Sequence, residues 1–146
     1  MLNWLSKAYF YTKLDFIHVF NHLHIAKGDE WLIIFHTQYG LFKYLVTPFG
    51  LANAPSLFQH FVNDTLRPYL DVFCTAYINN ILIYSNNMAE HQKYVKLVLQ
   101  ALCGAGLQLN VDKCKFYKTE VLYLGLIISI NGVWMDLKKV ETIVNW

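Results

Sequence analysis

The sequence has few charged residues, with no concentration of charge and no long apolar run. Charged residues make up 15% of the 146 positions, and the formal net charge is +2. A weakly basic chain without a basic tract is compatible with a nucleic-acid partner but does not indicate one. The longest mostly apolar run, Val121 to Ile130, is too short to span a bilayer, so we expect no membrane segment.

Cysteine is also scarce. The three cysteines, Cys74, Cys103 and Cys114, form no CxxC pair. Their odd number and wide spacing favour reduced thiols in an intracellular protein over a disulfide framework or a zinc knuckle. Polar residues interrupt residues 1–11 early, so we expect no signal peptide.

Apolar and aromatic residues are abundant, at 55% and 16% of the chain. This composition excludes a disordered chain, and the length suffices for one domain with a sizeable core. The apolar surplus indicates that part of the surface packs against protein outside this sequence.

The order of predicted elements indicates an α+β fold. Tyr9 to Asp15 is predicted as a strand ending in an acid, and periodic apolar positions predict helices at Ser56 to Leu66 and Glu90 to Cys103. Phe73 to Tyr77 and Ile81 to Tyr84 predict a hairpin that turns at Asn79-Asn80. The order β-α-β-β-α-β with a β insertion predicts one sheet covered by helices on one face.

The remaining segments carry weaker signals. Residues 16–25 fit either a helix or irregular structure. The other predicted elements are strands at Trp31 to Phe35, Leu41 to Val46, Leu107 to Leu109, Val121 to Ser129 and Val133-Trp134, a turn at Asn131-Gly132, and a helix at Leu137 to Trp146.

An ordered set of motifs spans almost the whole chain. They are "YTKLD" at 11–15, "KGDEW" at 27–31, "PFGLANAP" at 48–55, "AYINNILIYS" at 76–85, "GLQLNVDKCKF" at 106–116 and "YLGLIIS" at 123–129. With these motifs the chain resembles the palm and partial fingers of a Gypsy-type long-terminal-repeat retrotransposon reverse transcriptase. The resemblance implies a polymerase palm fold with a split βαβ-like antiparallel sheet covered by helices.

The resemblance also implies an activity and its requirements. The activity is RNA-directed DNA synthesis on an RNA template and DNA primer, with deoxynucleoside triphosphates and two Mg²⁺ ions held by three carboxylates. In such a fold the end of the first strand lies beside the hairpin tip, so Asp15 is expected near Asn79 and Asn80.

Individual residues acquire roles only through the resemblance. Asp15 matches the first catalytic, metal-binding carboxylate, and Asn79 and Asn80 stand at the other two carboxylate positions. The expected primer grip includes Tyr123, Leu124 and Gly125. The expected nucleotide-binding residues are Phe16, Phe20, Pro48, Phe49, Gly50, Gln59 and Lys113, of which Phe20 matches the aromatic that excludes a 2′-hydroxyl.

The departures from the family pattern weaken the expected activity. Asn79 and Asn80 bring no negative charge where the family has Asp-Asp, and Mg²⁺ needs hard, preferably anionic oxygens. We therefore expect the metal site to be incomplete and Mg²⁺ not to be bound productively. Other departures from the family pattern are His18, Val19, His24, Leu32, Ile33, His36 and Gln38. Many of these changes fit C-to-T or G-to-A transitions, which suggests a decayed element copy.

Simpler interpretations apply to the same residues taken alone. An Asn pair between two strands is a sufficient turn, and Asp15 is a possible strand-end cap. Asp15, His18 and His22 would gather around zinc on one continuous helix, but Asp15 is predicted at a strand end. Lys113, Lys115 and Lys118 fit a solvated edge.

The resemblance leaves three hypotheses open. The chain is an inactive reverse transcriptase by lineage, a polymerase with residual activity, or a non-catalytic nucleic-acid-binding or structural remnant. We expect a single partial domain over 1–146, with a fingers insertion at about 26–46 and the start of the thumb or connection at about 137–146. The expected partners are the missing fingers, thumb, ribonuclease H and integrase regions of a polyprotein, and the location expected by resemblance is the cytoplasm.

Overall fold

A four-stranded antiparallel sheet organises the chain. The structure is a computed structural model and describes residues 5, 7–17, 21 and 23–146. The strands are β1 (Phe10–Asp15), β4 (Cys74–Tyr77), β5 (Asn80–Ser85) and β6 (Lys115–Lys118), and their order across the sheet is β4-β5-β1-β6. The inner strands β1 and β5 are rich in buried apolar residues because both of their faces are covered over most of their length.

Two helices cover one face of this sheet. Helix α1 (Ala54–Leu66) has Pro55 in its first turn, and helix α2 (Met88–Gly104) begins at Asn87, whose side chain accepts the Glu90 N–H. Both helices were predicted from their apolar period. Their inward side chains form the main core with the sheet, including Leu14, Phe58, Val62, Leu66, Ile81, Ile83, Val95, Val98 and Leu102.

A three-stranded meander packs against part of the opposite face. It consists of β7 (Glu120–Tyr123), β8 (Leu126–Ser129) and β9 (Gly132–Met135). Tyr11 and Leu82 form a second core with it. The predicted single strand Val121 to Ser129 is wrong, because Leu124 and Gly125 turn the chain with φ of 51° and 80°. The turn predicted at Asn131-Gly132 is present but lies one residue earlier, at Ile130-Asn131, because Gly132 begins β9 and pairs with Ser129.

A second hairpin projects from the segment before α1. It is formed by β2 (Ile34–Thr37) and β3 (Gly40–Lys43) and preceded by a 3-10 helix, Glu30–Ile33. The strand predicted at Trp31 to Phe35 is therefore wrong for its first three residues, and the strand predicted at Leu41 to Val46 is too long. No residue of either strand is buried, and helix α3 (Leu137–Val144) buries none either. Many of the exposed large apolar side chains of this protein lie on the β2–β3 hairpin and on helix α3.

Two further predictions fail near β6. The strand expected at Leu107 to Leu109 is absent, and Leu109 makes only an isolated bridge with Phe16. The strand β6 was missed because its outer lysines hide the alternation that marks a strand. In the segment 16–25, residues 18–20 and 22 lie outside the described residues, while His24 bridges Val46.

None of the helices in the described part of the chain is both long enough and apolar enough to cross a membrane.

A buried histidine ties helix α2 to two neighbouring strands. The His91 ring is fully buried, with Nε2 2.8 Å from Thr12 Oγ1 on β1 and Nδ1 2.8 Å from Ser85 Oγ on β5. Ser85 donates its hydroxyl proton to Asn87 O, so it accepts from His91 Nδ1–H. Nε2 then accepts the Thr12 hydroxyl proton, and Thr12 in turn accepts the Tyr117 N–H. The neutral ring therefore satisfies every partner.

Protonation of the His91 ring would break this hydrogen-bond network. A charged imidazole would have to donate from Nε2 to Thr12, displacing the Thr12 proton from its acceptor. Burial lowers the pKa of His91 to about 4. In the unfolded chain a histidine titrates near 6.5, so the unfolded state binds more protons between these two values.

We expect the free energy of unfolding to fall as pH drops through this window. The free energy of unfolding is highest above about pH 6.5 and falls by on the order of 3 kcal/mol by about pH 4. It falls because the unfolded histidine takes up a proton while the native ring stays neutral. Urea denaturation at several pH values measures it. The variant His91→Gln should flatten this dependence, and His60→Gln, at an exposed histidine, should not. Equal pH profiles for the wild type and His91→Gln would contradict the assignment.

Candidate active site

The pairing of β1 with β5 brings Asp15 beside the tip of the central hairpin. Asp15 pairs with Asn80, and Asn80 pairs with Tyr77 across the hairpin. The Phe16 N–H donates to Asn79 O at 3.0 Å. Residues paired across antiparallel strands have Cβ atoms about 4.5–5.5 Å apart. The lone carboxylate and the two amide residues therefore meet, as the sequence predicted.

These side chains face away from the helices. Side chains alternate along a strand, and Tyr11 and Leu82 belong to the second core, opposite α1 and α2. Asp15 shares the parity of Tyr11, and Asn80 shares that of Leu82. Asp15 is 8% exposed. The site thus lies on the sheet face that the β7–β9 meander covers in part, with Asp15 buried and both Asn79 and Asn80 half-buried.

The end of β1 is also held from the β6 side. The Asp15 N–H donates to Cys114 Sγ at 3.4 Å, and the Asn110 N–H donates to Asp15 O at 2.8 Å. Burial raises the pKa of the Cys114 thiol, so this sulfur stays protonated at neutral pH. Sequence reasoning missed both contacts, because they join residues about 95–100 positions apart.

The tip of the hairpin differs from the prediction by one residue. The turn residues are Ile78 and Asn79, while Asn80 is the first residue of β5. Ile78 has φ of 49°, a left-handed conformation that is unfavourable for a β-branched residue. Asn80 Nδ2 donates to Asn79 Oδ1 at 2.8 Å, so the two amides bond to each other.

Gln59 on α1 clamps this turn. Its Oε1 accepts the Ile78 N–H at 2.5 Å, and its Nε2 donates to Ala76 O at 3.2 Å and to Asn63 Oδ1 at 2.8 Å. The clamp satisfies the amide of the strained residue and fixes the hairpin tip against the helix. The helical position of Gln59 was predictable from the sequence, but its contact with the turn was not.

The other residues with an expected nucleotide-binding role are dispersed. Phe16 is buried, with its ring edge-on to Phe58 at a centroid distance of 5.5 Å. Phe49 is 91% exposed in the loop before α1, between half-buried Pro48 and Gly50, whose φ is 99°. Lys113 is exposed in a 3-10 helix, Val111–Lys113, that follows Asn110. Phe20 lies outside the described residues.

The residues expected in the primer grip form the turn between β7 and β8. Tyr123 is buried, and burial raises its pKa to about 12, with Thr75 opposing the shift. Leu124 is 47% exposed at the turn, and a side chain at Gly125 would collide with Lys139. The motif "YLGLIIS" therefore forms a hairpin, with Leu124 and Gly125 at its turn.

The donor set at the hairpin tip does not fit two magnesium ions. Asp15 supplies one carboxylate, while the two amides are neutral and the Asn79 Oδ1 atom accepts a hydrogen bond from Asn80 Nδ2. Within the described ranges, no group of three or more His, Cys, Asp or Glu side chains is placed to hold a metal ion. Paired Mg²⁺ ions require several anionic oxygens. For the zinc alternative, His18 and His22 lie outside the described residues, and Asp15 is in a strand.

Removing the Gln59 clamp should destabilise the fold. The variant Gln59→Leu leaves the Ile78 N–H without its acceptor, and we expect a loss of about 1–3 kcal/mol in the free energy of unfolding. Urea denaturation checks this value. The control Gln100→Leu, at an exposed position of α2, should stay within about 0.5 kcal/mol of the wild type. Equal losses in the two variants would show that the clamp contributes nothing specific.

Comparisons with known proteins show the family of this chain. Residues 2–128 match the family described as reverse transcriptase (RNA-dependent DNA polymerase). The chain is 37% identical over 139 residues to the retrovirus-related Pol polyprotein from transposon opus of Drosophila melanogaster, covering 95% of this chain and 14% of that protein. It is 37% identical over 136 residues to the Tf2-7 transposon polyprotein of Schizosaccharomyces pombe, covering 93% and 10%.

Solved structures support the fold class. The foamy viral protease-reverse transcriptase in complex with RNA/DNA hybrid has a TM-score of 0.84 at 23% identity, over 97% of this chain and 20% of that chain. The corresponding dRH structure with double-stranded DNA has a TM-score of 0.86 at 24% identity, over 96% and 24%. The predicted α+β palm fold is confirmed.

The chain thus spans about one seventh or less of the length of these curated relatives. The family expected from the motifs is also confirmed. The chain belongs to the reverse transcriptase family and corresponds to a segment of the reverse transcriptase domain of a retrotransposon polyprotein.

Proposed function

We propose that this chain descends from an RNA-directed DNA polymerase and is inactive or severely impaired in its present form. By lineage the reaction is template-directed nucleotidyl transfer from deoxynucleoside triphosphates to a DNA primer. The chain would form the palm, with a fingers insertion at about 26–46 and the start of the thumb or connection at about 137–146. The complete enzyme would need the other regions of its polyprotein.

The pairing of Asp15 with Asn80 carries this proposal. The backbone brings the three key positions together, but only one of them holds a carboxylate. In active relatives the ions would activate the primer hydroxyl and neutralise charge on the transferred phosphate. At an effective dielectric of 20, each lost unit charge about 4 Å from a cation forfeits on the order of 4 kcal/mol, and about 1.4 kcal/mol corresponds to a tenfold change in rate.

The other proposed roles follow the motif positions. Phe16, Phe20, Pro48, Phe49, Gly50 and Lys113 would border the nucleotide, and Tyr123, Leu124 and Gly125 would hold the primer. For Gln59 we propose an indirect contribution, since its amide is bonded to the hairpin. For Phe16 the ring lies in the core, which leaves its backbone beside the hairpin tip.

A primer-extension assay on an RNA template tests the proposal. Each variant is assayed as the palm of an otherwise intact reverse transcriptase, so that the other regions are supplied. We expect no extension by the wild-type sequence with Mg²⁺, and at least a ~1,000-fold gain in Asn79→Asp/Asn80→Asp, because two metal-binding charges return. Adding Asp15→Asn to that variant should abolish the gain. A parallel series with Mn²⁺ detects residual activity.

Extension by the wild type well above the Asp15→Asn background would contradict the proposed inactivity. A double variant no better than the wild type would show that the hairpin is not the only lesion, with the altered fingers positions as the next candidates.

A second candidate function, non-catalytic nucleic-acid binding, is favoured by exposed aromatic residues, one of which lies beside the site. Tyr77 is 55% exposed and lies in the same cross-strand row as Asn80 and Asp15. Phe49 is 91% exposed in the loop before α1. Such rings can stack on bases, but the small basic content indicates a weak electrostatic grip.

Binding of an RNA–DNA hybrid, measured by fluorescence anisotropy at several salt concentrations, tests this candidate. We expect weak binding with a shallow salt dependence, and a roughly 5- to 100-fold loss in Tyr77→Ala if its ring stacks on a base. The control Trp146→Ala removes another exposed aromatic residue and should have no effect. Equal affinities for wild type and Tyr77→Ala would exclude stacking at this position.

A further inference from the structure

We infer that the Asn79–Asn80 amide pair replaces a divalent cation as the element that stabilises the hairpin tip, so that this fold no longer depends on metal. The inference rests on the proposed function, because it assumes an ancestral tip with carboxylates at both positions. It concerns whether metal binding stabilises the folded state, which an activity assay does not measure.

The geometry makes charge at position 80 costly. Asn80 lies directly opposite Asp15, which is 8% exposed. Like charges directly opposite each other on neighbouring strands destabilise a sheet. Among the described residues, the ion pairs are Lys43–Glu30 and Arg67–Asp64, and neither involves Asp15. Lys13 lies on the same face of β1 as Asp15 but forms no ion pair with it. A second carboxylate at position 80 would therefore meet Asp15 without a cation already paired to either group.

The backbone leaves the tip little freedom to relieve such repulsion. Phe16 N–H holds Asn79 O, Gln59 holds the amide of Ile78, and Asn110 and Cys114 hold the backbone of Asp15. These bonds fix the backbone of the tip, so carboxylates at 79 and 80 could move away from Asp15 only by rotating their side chains. A bound cation would instead neutralise them in place.

The amides remove the need for that cation. An amide group carries both a donor and an acceptor, so two of them can satisfy each other, whereas two ionised carboxylates are acceptors only. The observed bond from Asn80 Nδ2 to Asn79 Oδ1, at 2.8 Å, joins one donor and one acceptor of the pair. The two side chains at the tip are thus neutral and bonded to each other without an ion.

Thermal unfolding of the 146-residue chain with EDTA or millimolar MgCl₂, at constant ionic strength, tests the inference. We expect the Tm of the wild type to be the same in both. The variant Asn79→Asp/Asn80→Asp should unfold at least about 5 °C lower in EDTA and recover most of that loss with Mg²⁺. If it is unfolded in EDTA, the gain of ellipticity on adding Mg²⁺ measures the same dependence, and Asn80→Asp alone provides a milder version.

The chain offers a matched control in a second Asn pair. Asn86→Asp/Asn87→Asp adds the same two charges at exposed positions before α2, where Asp caps a helix as well as Asn does. Its Tm should not respond to Mg²⁺.

Two results would overturn the inference. One is a wild-type Tm that rises with Mg²⁺, and the other is a carboxylate variant as stable as the wild type in EDTA. Neither depends on polymerase activity. Primer extension by the wild type would instead contradict the proposed inactivity, so the two failures are distinguishable.

Discussion

The antiparallel pairing of β1 with β5 is the constraint on which the rest of this structure depends. It sets position 15 opposite position 80 and makes the hairpin turn the neighbour of the strand end. The buried His91 reinforces it, since one imidazole bonds Thr12 on β1 and Ser85 on β5. A register slip of one residue would reverse every side chain of a strand and break both bonds. The relation between the acid and the amides is therefore fixed by elements remote from them.

The sequence was a good guide where one local signal dominated. Helices α1 and α2 follow from a 3.6-residue apolar period and a clear start and end, and the family followed from motifs with specific spacing. Local signals failed where they competed. Either Asn of the central pair suits the left-handed conformation of a turn. In the structure Ile78 adopts it instead, although a β-branched residue disfavours this conformation. Continuous apolar character hid the turn at Leu124-Gly125 inside a predicted strand.

The candidate site shows a similar division. The sequence identified Asp15, Asn79 and Asn80, because a motif specifies which residues belong together. It did not show how they are held. The Gln59 clamp, the Asn110 contact and the Cys114 contact join elements that are distant along the chain, so only the packed structure reveals them. His91 illustrates the same limit, since no local pattern marks it as a buried, neutral residue that bonds two strands.

The β2–β3 hairpin is a region of low local stability within this fold. None of its strand residues is buried, and a two-stranded ribbon without a covered face is marginal in water. Its backbone hydrogen bonds can therefore open without disturbing the central sheet, at a free energy well below that of global unfolding. Amide protons of this segment will exchange with solvent much faster than those of β1 and β5. Local stability thus differs within the chain, since the central sheet opens only with the whole fold whereas the β2–β3 hairpin frays separately.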